Sequence, residues 1–407
     1  MTAPEIALPD LSDPRTFVDD VPIEAFRAIR EKPGLYWQPT PISTTHGGYW
    51  AVTRFADIVA IEKDLESFSS TRGAAYPLMS TGPMPGSSAD SLMLTDPPRH
   101  TRLRKVAAKG FGPRVVANFE PWIRELVREV IADVDGRDTF DWVTEFAQTI
   151  PALVIGRVLG VPREDRERQV AWTIALFAAT QQTEGEGAIQ NIEGPQREMR
   201  EYAAAIQEVK RANPADDMFT VLGKCVDDGE ITQDEFLQWM VLMMGAGFET
   251  THTAIGQSMR MYLEDPEVRA ATDRAVDEGL TGRAVDEYIR LISPPMQMAR
   301  TAIRDLEFAG TKIREGDVMV LYFLAANRDP AVFSEPDRFN PWRPEKDTLA
   351  FGSGVHRCIG SYLAKLEVQV LFEELRAAGL NLRLDGEPKR GWSNFINQLT
   401  SLPVARV

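Results

Sequence analysis

The chain has 407 residues, with 45 Lys and Arg against 60 Asp and Glu, for a net charge of -15. That balance disfavours non-specific attraction to nucleic acid or to anionic lipid and leaves a small molecule, or a protein meeting a local basic contact, as the expected partner. The two cysteines, Cys225 and Cys358, make no disulfide framework, and no run of eighteen apolar residues or basic-then-apolar leader occurs, so a reducing, cytoplasmic setting without a membrane span is expected. No repeat, low-complexity tract or linker divides the chain, and residues 1–407 read as one unit with a helix-rich part and a smaller β-rich part.

In chain order, the first β-like piece is Gly48-Tyr49-Trp50-Ala51-Val52. Asp96-Pro97-Pro98-Arg99 then opens a helix with proline near its first turn, and His100 and Arg104 fall four apart on one side. A basic helix face of this kind is ordinarily solvated surface. The longest predicted helix starts at Thr232, where Thr232-Gln233-Asp234-Glu235 has a capping-box pattern, and it runs to Asp265-Pro266. At its centre lies Gly245-Ala246-Gly247-Phe248-Glu249-Thr250-Thr251. Glycine inside a helix costs about 1 kcal/mol relative to alanine. The pair therefore serves either close helix packing or a groove, which a threonine hydroxyl bonded back to its own helix would widen.

Glu287 and Arg290 stand three apart on one face of the next helical segment. Further β-like pieces follow at Phe308–Ile313 and Val318–Leu321, and then Pro336-Asp337-Arg338-Phe339-Asn340-Pro341-Trp342-Arg343. The most specific segment is Phe351-Gly352-Ser353-Gly354-Val355-His356-Arg357-Cys358-Ile359-Gly360. From the abundances of Phe, Gly and Cys here, the spacing F-x-x-G-x-x-x-C-x-G arises by chance in roughly one such chain in 2,000. Gly352 and Gly354 permit a tight bulge, Gly360 leaves room for a flat macrocycle, and the helix from Ser361 to Arg376 directs its positive end toward Cys358. With Arg357 beside it, that placement favours the thiolate that binds metal.

This segment, with the others in the same order, resembles the cytochrome P-450 family of soluble bacterial type over nearly the whole chain. The resemblance implies a mainly α, single-domain fold with small β-sheets and haem b (iron protoporphyrin IX) held between the long central helix and the cysteine helix. Cys358 is then the axial ligand of the haem iron, with Phe351, Gly352, Gly360 and Ala246 against the macrocycle. His100, Arg104, Arg300 and His356 match the family's propionate contacts. Thr250 and Glu249 match its acid-alcohol pair, Thr250 orienting the reacting oxygen and Glu249 relaying protons, with O2 as co-substrate. Glutamate where many members carry aspartate changes reach rather than charge. Glu287 and Arg290 match a buried structural network that either Arg338 or Arg343 completes.

The implied activity is monooxygenation. Apolar residues, Leu78, Met79, Met84, Met93, Leu176, Phe177, Leu242, Gly245, Met296, Met298, Phe395 and Ile396, are expected around the substrate, which suits a terpenoid, alkylaromatic or steroid-like molecule. Electrons are expected from a ferredoxin with its ferredoxin reductase on separate chains, steered by a basic patch of Arg102, Lys105, Lys109 and Arg357. A peroxide-driven peroxygenase, or a haem-based ligand sensor without turnover, is the rival reading, and retention of Glu249-Thr250 counts against both.

Overall fold

Thr232 opens the longest helix with both halves of a capping box. The Glu235 N–H donates to Thr232 Oγ1 at 3.1 Å, and the Thr232 N–H donates to the Glu235 carboxylate at 2.9 Å. The structure is a computed structural model and describes residues 8–41, 44–76, 78, 82, 89–181 and 186–407, without the side chains of 177–181 and 186–192. The capped helix, Gln233–Glu264, has 32 residues and so spans about 48 Å at ~1.5 Å per residue. It ends where Asp265 turns to cap the following helix, Pro266–Asp277, by accepting the Glu267 N–H at 2.8 Å.

This central helix is buried along most of its length, with Phe236, Trp239, Met240, Met244, Phe248 and Ile255 in the largest core cluster. The helix Thr149–Leu159 crosses it at Gly247, where a Cβ would lie 2.8 Å from Ile155 Cδ1. Of the two roles weighed for the central glycines, Gly247 thus has close packing. On the other side lies the helix Ser361–Ala378, which closes on Gly379 in the left-handed region at φ +63°. Arg124 and Arg128 of the helix Glu120–Asp133 both reach Glu374 on it, at 3.0 and 2.6 Å, fixing those helices together.

The main sheet has five strands in the order Tyr36–Pro39, Gly48–Val52, Val318–Leu321, Met298–Ala302 and Phe68–Ser69, with only the second and third parallel. Its strand Met298–Ala302 carries Arg300, which lies 3.4 Å from Glu62. A three-stranded sheet joins Thr139–Asp141, Pro403–Arg406 and Leu382–Leu384. The segment Phe308–Ile313, expected as one β-like piece, is the turn and second half of a hairpin, Leu306–Phe308 with Thr311–Ile313. Ala309 and Gly310 reverse the chain there at φ +49° and +72°. The helix Arg99–Phe111 starts after its prolines, with Pro98 at the cap position rather than in the first turn. The architecture is mainly α with small sheets, and among the described residues no helix is long and apolar enough to cross a membrane.

Candidate active site

The cysteine loop folds back on itself through a 2.8 Å hydrogen bond from the Cys358 N–H to the Phe351 carbonyl. Gly352 and Gly354 take φ of +65° and +63°, and at Gly354 a Cβ would stand 2.6 Å from the Glu62 carbonyl oxygen, so side chains are excluded twice over. The N–H groups of Gly360 and Ser361, at the start of the following helix, reach the Cys358 sulfur. Solvent reaches this side chain, yet the protein packed around it pushes the thiol above its usual pKa. Those two N–H groups and the charges of Arg104 and Arg357 work in the opposite direction, toward the thiolate. A metal bound at the sulfur would complete that shift.

Beside the loop, basic groups from three segments, the loop included, crowd together. His100 is 1% exposed and neither ring nitrogen has a hydrogen-bond partner. Its ring centroid lies 4.2 Å from that of His356, whose Nε2 is 3.3 Å from Ser70 Oγ. Arg300 is buried, and half-buried Arg104 donates to the Arg357 carbonyl. Burial, then Arg104 and Arg300, hold His100 down at about 4, and burial with Arg300 lowers His356 as well. Glu62 and Asp96 are the carboxylates facing this group. Partnerless ring nitrogens and an excess of buried base fit a ligand carrying carboxylates, and a lone exposed thiol nearby fits a soft metal held mainly by a macrocycle. Among the described residues no cluster of three or more His, Cys, Asp or Glu could hold a bare metal ion. The residues present therefore fit haem.

On the central helix, Leu242, Ala246, Gly247 and Thr250 are only half-buried while Val241, Met243, Met244 and Gly245 beside them are buried, which leaves an open stripe. The Thr250 hydroxyl donates to the Ala246 carbonyl at 2.8 Å, the back-bond that loosens a helix ladder. Glu249 is 2% exposed, its Oε1 lacks a hydrogen-bond partner, and His252 Nδ1 lies 3.6 Å from it. Sequence reading does not single out His252, although its spacing of three from Glu249 is the available signal.

Glu287 and Arg290 are buried and bidentate, with contacts of 2.7 and 3.0 Å. Arg343 Nε stands 2.8 Å from Glu287 Oε2, and the Asn340 N–H donates to the same oxygen at 2.9 Å. Of the two candidates it is thus Arg343 that meets the pair. The Arg338 side chain is exposed and turns to Glu335, three residues away, and only its carbonyl joins the network by accepting from Arg290 and Arg343. The loop between the strands and the cysteine, which sets this choice, leaves no trace in local spacing.

The expected substrate residues separate. Phe395, Ile396 and Ala75 form a small cluster with Met298 against it, and Leu78 is bridged to Ala75. Met296, by contrast, is fully buried with Tyr49, Tyr76 and Tyr322, where a thioether fills core rather than lining a cavity. Met79 and Met84 lie outside the described residues, as does the side chain of Phe177; Met93 and Leu176 are half-buried. All four residues of the expected basic patch are exposed, but Arg102 is paired with Glu235 and Lys109 with Glu230.

Residues 196–375 match the family model described as Cytochrome P450. A steroid C26-monooxygenase of Mycobacterium tuberculosis is 30% identical over 97% of this chain and 93% of its own length. A methyl-branched lipid omega-hydroxylase of the same species is 32% identical over 98% and 96%. The crystal structure of a Mycobacterium marinum cytochrome P450, CYP268A2, in complex with pseudoionone superposes with a TM-score of 0.87 at 27% identity, over 99% of this chain and all of that one. A cysteine loop, a basic cluster and an open threonine stripe in a fold shared end to end with such enzymes lead to one assignment: the chain belongs to the cytochrome P450 family and is a monooxygenase of the hydroxylating type.

Proposed function

We propose that residues 1–407 act as one haem-thiolate unit that hydroxylates an apolar molecule of terpenoid, alkylaromatic or steroid-like size, with two electrons from a ferredoxin and ferredoxin reductase on separate chains. The observation that carries this is the exposed Cys358 thiol in a loop whose His356 lies against the partnerless His100 and whose Arg357 carbonyl is held by Arg104. The named substrates of the relatives, a steroid and a methyl-branched lipid, support an apolar carbon skeleton, as does pseudoionone in the structural neighbour. The expected setting is cytoplasmic.

When bound, haem supplies an iron that takes up O2 and electrons and delivers one oxygen atom into a C–H bond. Cys358 would be its axial ligand, His100, Arg104, Arg300 and His356 would hold the propionates, and Phe351, Gly352, Gly360 and Ala246 would meet the ring. The Thr250 hydroxyl proton is engaged by the Ala246 carbonyl, so the oxygen lone pairs are what the stripe presents; rotation about the Cβ–Oγ1 bond redirects the same proton toward the stripe. In this reading Glu249, buried and one residue before Thr250, would relay protons toward it, and His252, with Nδ1 3.6 Å from Glu249 Oε1, would resupply Glu249. Leu242, Met298, Phe395 and Ile396 would exclude water from the substrate. Lys105 and Arg357 provide exposed positive charge near the cysteine loop for an acidic carrier.

The test is a ligand screen read by the haem Soret shift, followed by product analysis with NADH, ferredoxin and ferredoxin reductase. The expected result is a ferrous-carbonyl spectrum of thiolate type and shifts for apolar ligands that become hydroxylated. A spectrum of histidine ligation, shifts confined to organic acids, or turnover with peroxide but none with the carriers would each overturn the corresponding part.

A further inference from the structure

Glu62 touches both the cysteine loop and the basic cluster. It lies at the end of the helix Phe55–Lys63 and is 3% exposed. Its Oε2 accepts the backbone N–H and the hydroxyl of Ser353, each at 2.7 Å, across 291 residues of sequence. Its Oε1 lies 3.4 Å from Arg300 Nη2, and its backbone carbonyl fills the space where Gly354 lacks a side chain. One residue thus grips the loop that carries Cys358 and pairs with a cation of the propionate cluster.

We propose that Glu62 is a positioning residue that clamps the cysteine loop through Ser353 and Gly354 and, by setting its negative charge against Arg300, fixes how much positive charge remains for a haem propionate and hence the reduction potential of the iron. The proposal rests on the haem-thiolate reading. All three groups that face the carboxylate, Ser353 N–H, Ser353 O–H and the Arg300 guanidinium, are donors, the set an ionised carboxylate requires because it can only accept. Burial raises the Glu62 pKa, while Arg300 and the Ser353 donors oppose the rise. Arg300 is itself buried, so its charge is poorly screened and the pair acts at close range. Removing the anion takes away the carboxylate paired with Arg300, whose Nη1 stays on the Ala299 carbonyl, and the positive charge so released toward the propionate favours the iron that has gained an electron.

The experiment is a spectroelectrochemical titration of the haem-loaded full chain and of Glu62→Gln, which keeps size and an oxygen acceptor for Ser353. At a fixed potential the ferrous to ferric ratio is expected to rise about three- to tenfold, a positive shift of about 30–60 mV at 59 mV per tenfold for one electron. The thiolate-type carbonyl spectrum should persist. A ratio unchanged within twofold in Glu62→Gln would overturn the proposal and leave Glu62 a structural clamp. Glu62→Asp and Ser353→Ala keep the charge and loosen the clamp, so both should release haem faster while holding the ratio within twofold. If Glu62→Gln does not retain haem, these two decide the matter, because a shift of threefold or more in both would make loop geometry, not charge, the determinant. Loss of the haem-thiolate reading itself would register separately, as an unmodified protein without the thiolate-type carbonyl spectrum.

Discussion

Arg343 Nε lies 2.8 Å from Glu287 Oε2, and both side chains are 4% exposed. Two arginines therefore share one buried carboxylate, with Arg290 on both of its oxygens and Arg343 on one. Removing one member of such a set strands the others without water or partner, at a cost of about 3–5 kcal/mol. Glu287→Ala is accordingly expected to lose about that much in denaturant unfolding of the haem-loaded chain. Arg338→Ala, which keeps the carbonyl that the network uses, should stay within ~0.5 kcal/mol.

How far the sequence foretells this arrangement depends on how local each signal is. Thr232 and Glu235 sit three apart and cap their own helix, so both its start and the stop before Pro266 are readable from spacing. The cysteine loop is equally local, because its glycines and its sulfur occupy ten consecutive residues. Arg338 and Arg343 cannot be ranked that way, since the choice depends on how the turn Asn340–Arg343 folds against a helix fifty residues earlier. Glu62 leaves no mark at all, being one acid in an ordinary amphipathic helix whose partners lie 238 and 291 residues away. Met296 and Met298, two apart, would share one face of a continuous strand, yet they enter different clusters because the strand begins only at Met298, a boundary that apolar character alone does not encode.

Glu235 gives the fold an acid-sensitive joint. Burial raises its pKa, but Arg102, the Thr232 N–H and Arg99 outweigh burial and bring it down to about 2. A carboxylate with a depressed folded-state pKa stabilises the fold above its unfolded value near 4.5, and that contribution fades as pH falls toward 2. Because Arg99 and Arg102 are partly exposed, screening reduces it to about 2 kcal/mol. Unfolding free energy measured from pH 6 to 3 should fall less steeply in Glu235→Gln than in the parent, and parallel curves would contradict the assignment.

His100 ties haem uptake to protons. Its pKa is lowered to about 4, so between pH 4 and 6.5 it binds fewer protons than an unfolded histidine does. That depressed value destabilises the haem-free fold progressively as pH falls from 6.5 toward 4. Carboxylates arriving beside the ring favour the imidazolium and raise its pKa, so haem binding should take up protons in this window. Calorimetry at pH 5.5 in two buffers of different ionisation enthalpy measures the number taken up, which should fall by roughly half a proton or more in His100→Asn. An unchanged count would remove His100 from the propionate site.

Thr250 and Thr253 allow the acid-alcohol assignment to be tested against simple packing. Both are threonines of the central helix, but Thr250 is half-buried on the open stripe and bonded back to Ala246, whereas Thr253 is fully buried and its hydroxyl has no partner. If the Thr250 hydroxyl carries a proton to the reacting oxygen, Thr250→Ala should leave NADH consumption running while product formed per NADH falls by about tenfold or more, within the usual range for a lost acid-base group. Glu249→Gln, which removes the proton source one residue away, should instead slow NADH consumption itself and enlarge the solvent isotope effect. Thr253→Val removes a hydroxyl of the same helix that bonds to nothing, so both rates should stay within twofold of the parent. Loss of coupling in Thr253→Val equal to that in Thr250→Ala would mean that helix packing, rather than a hydroxyl placed on the stripe, governs the delivery of protons.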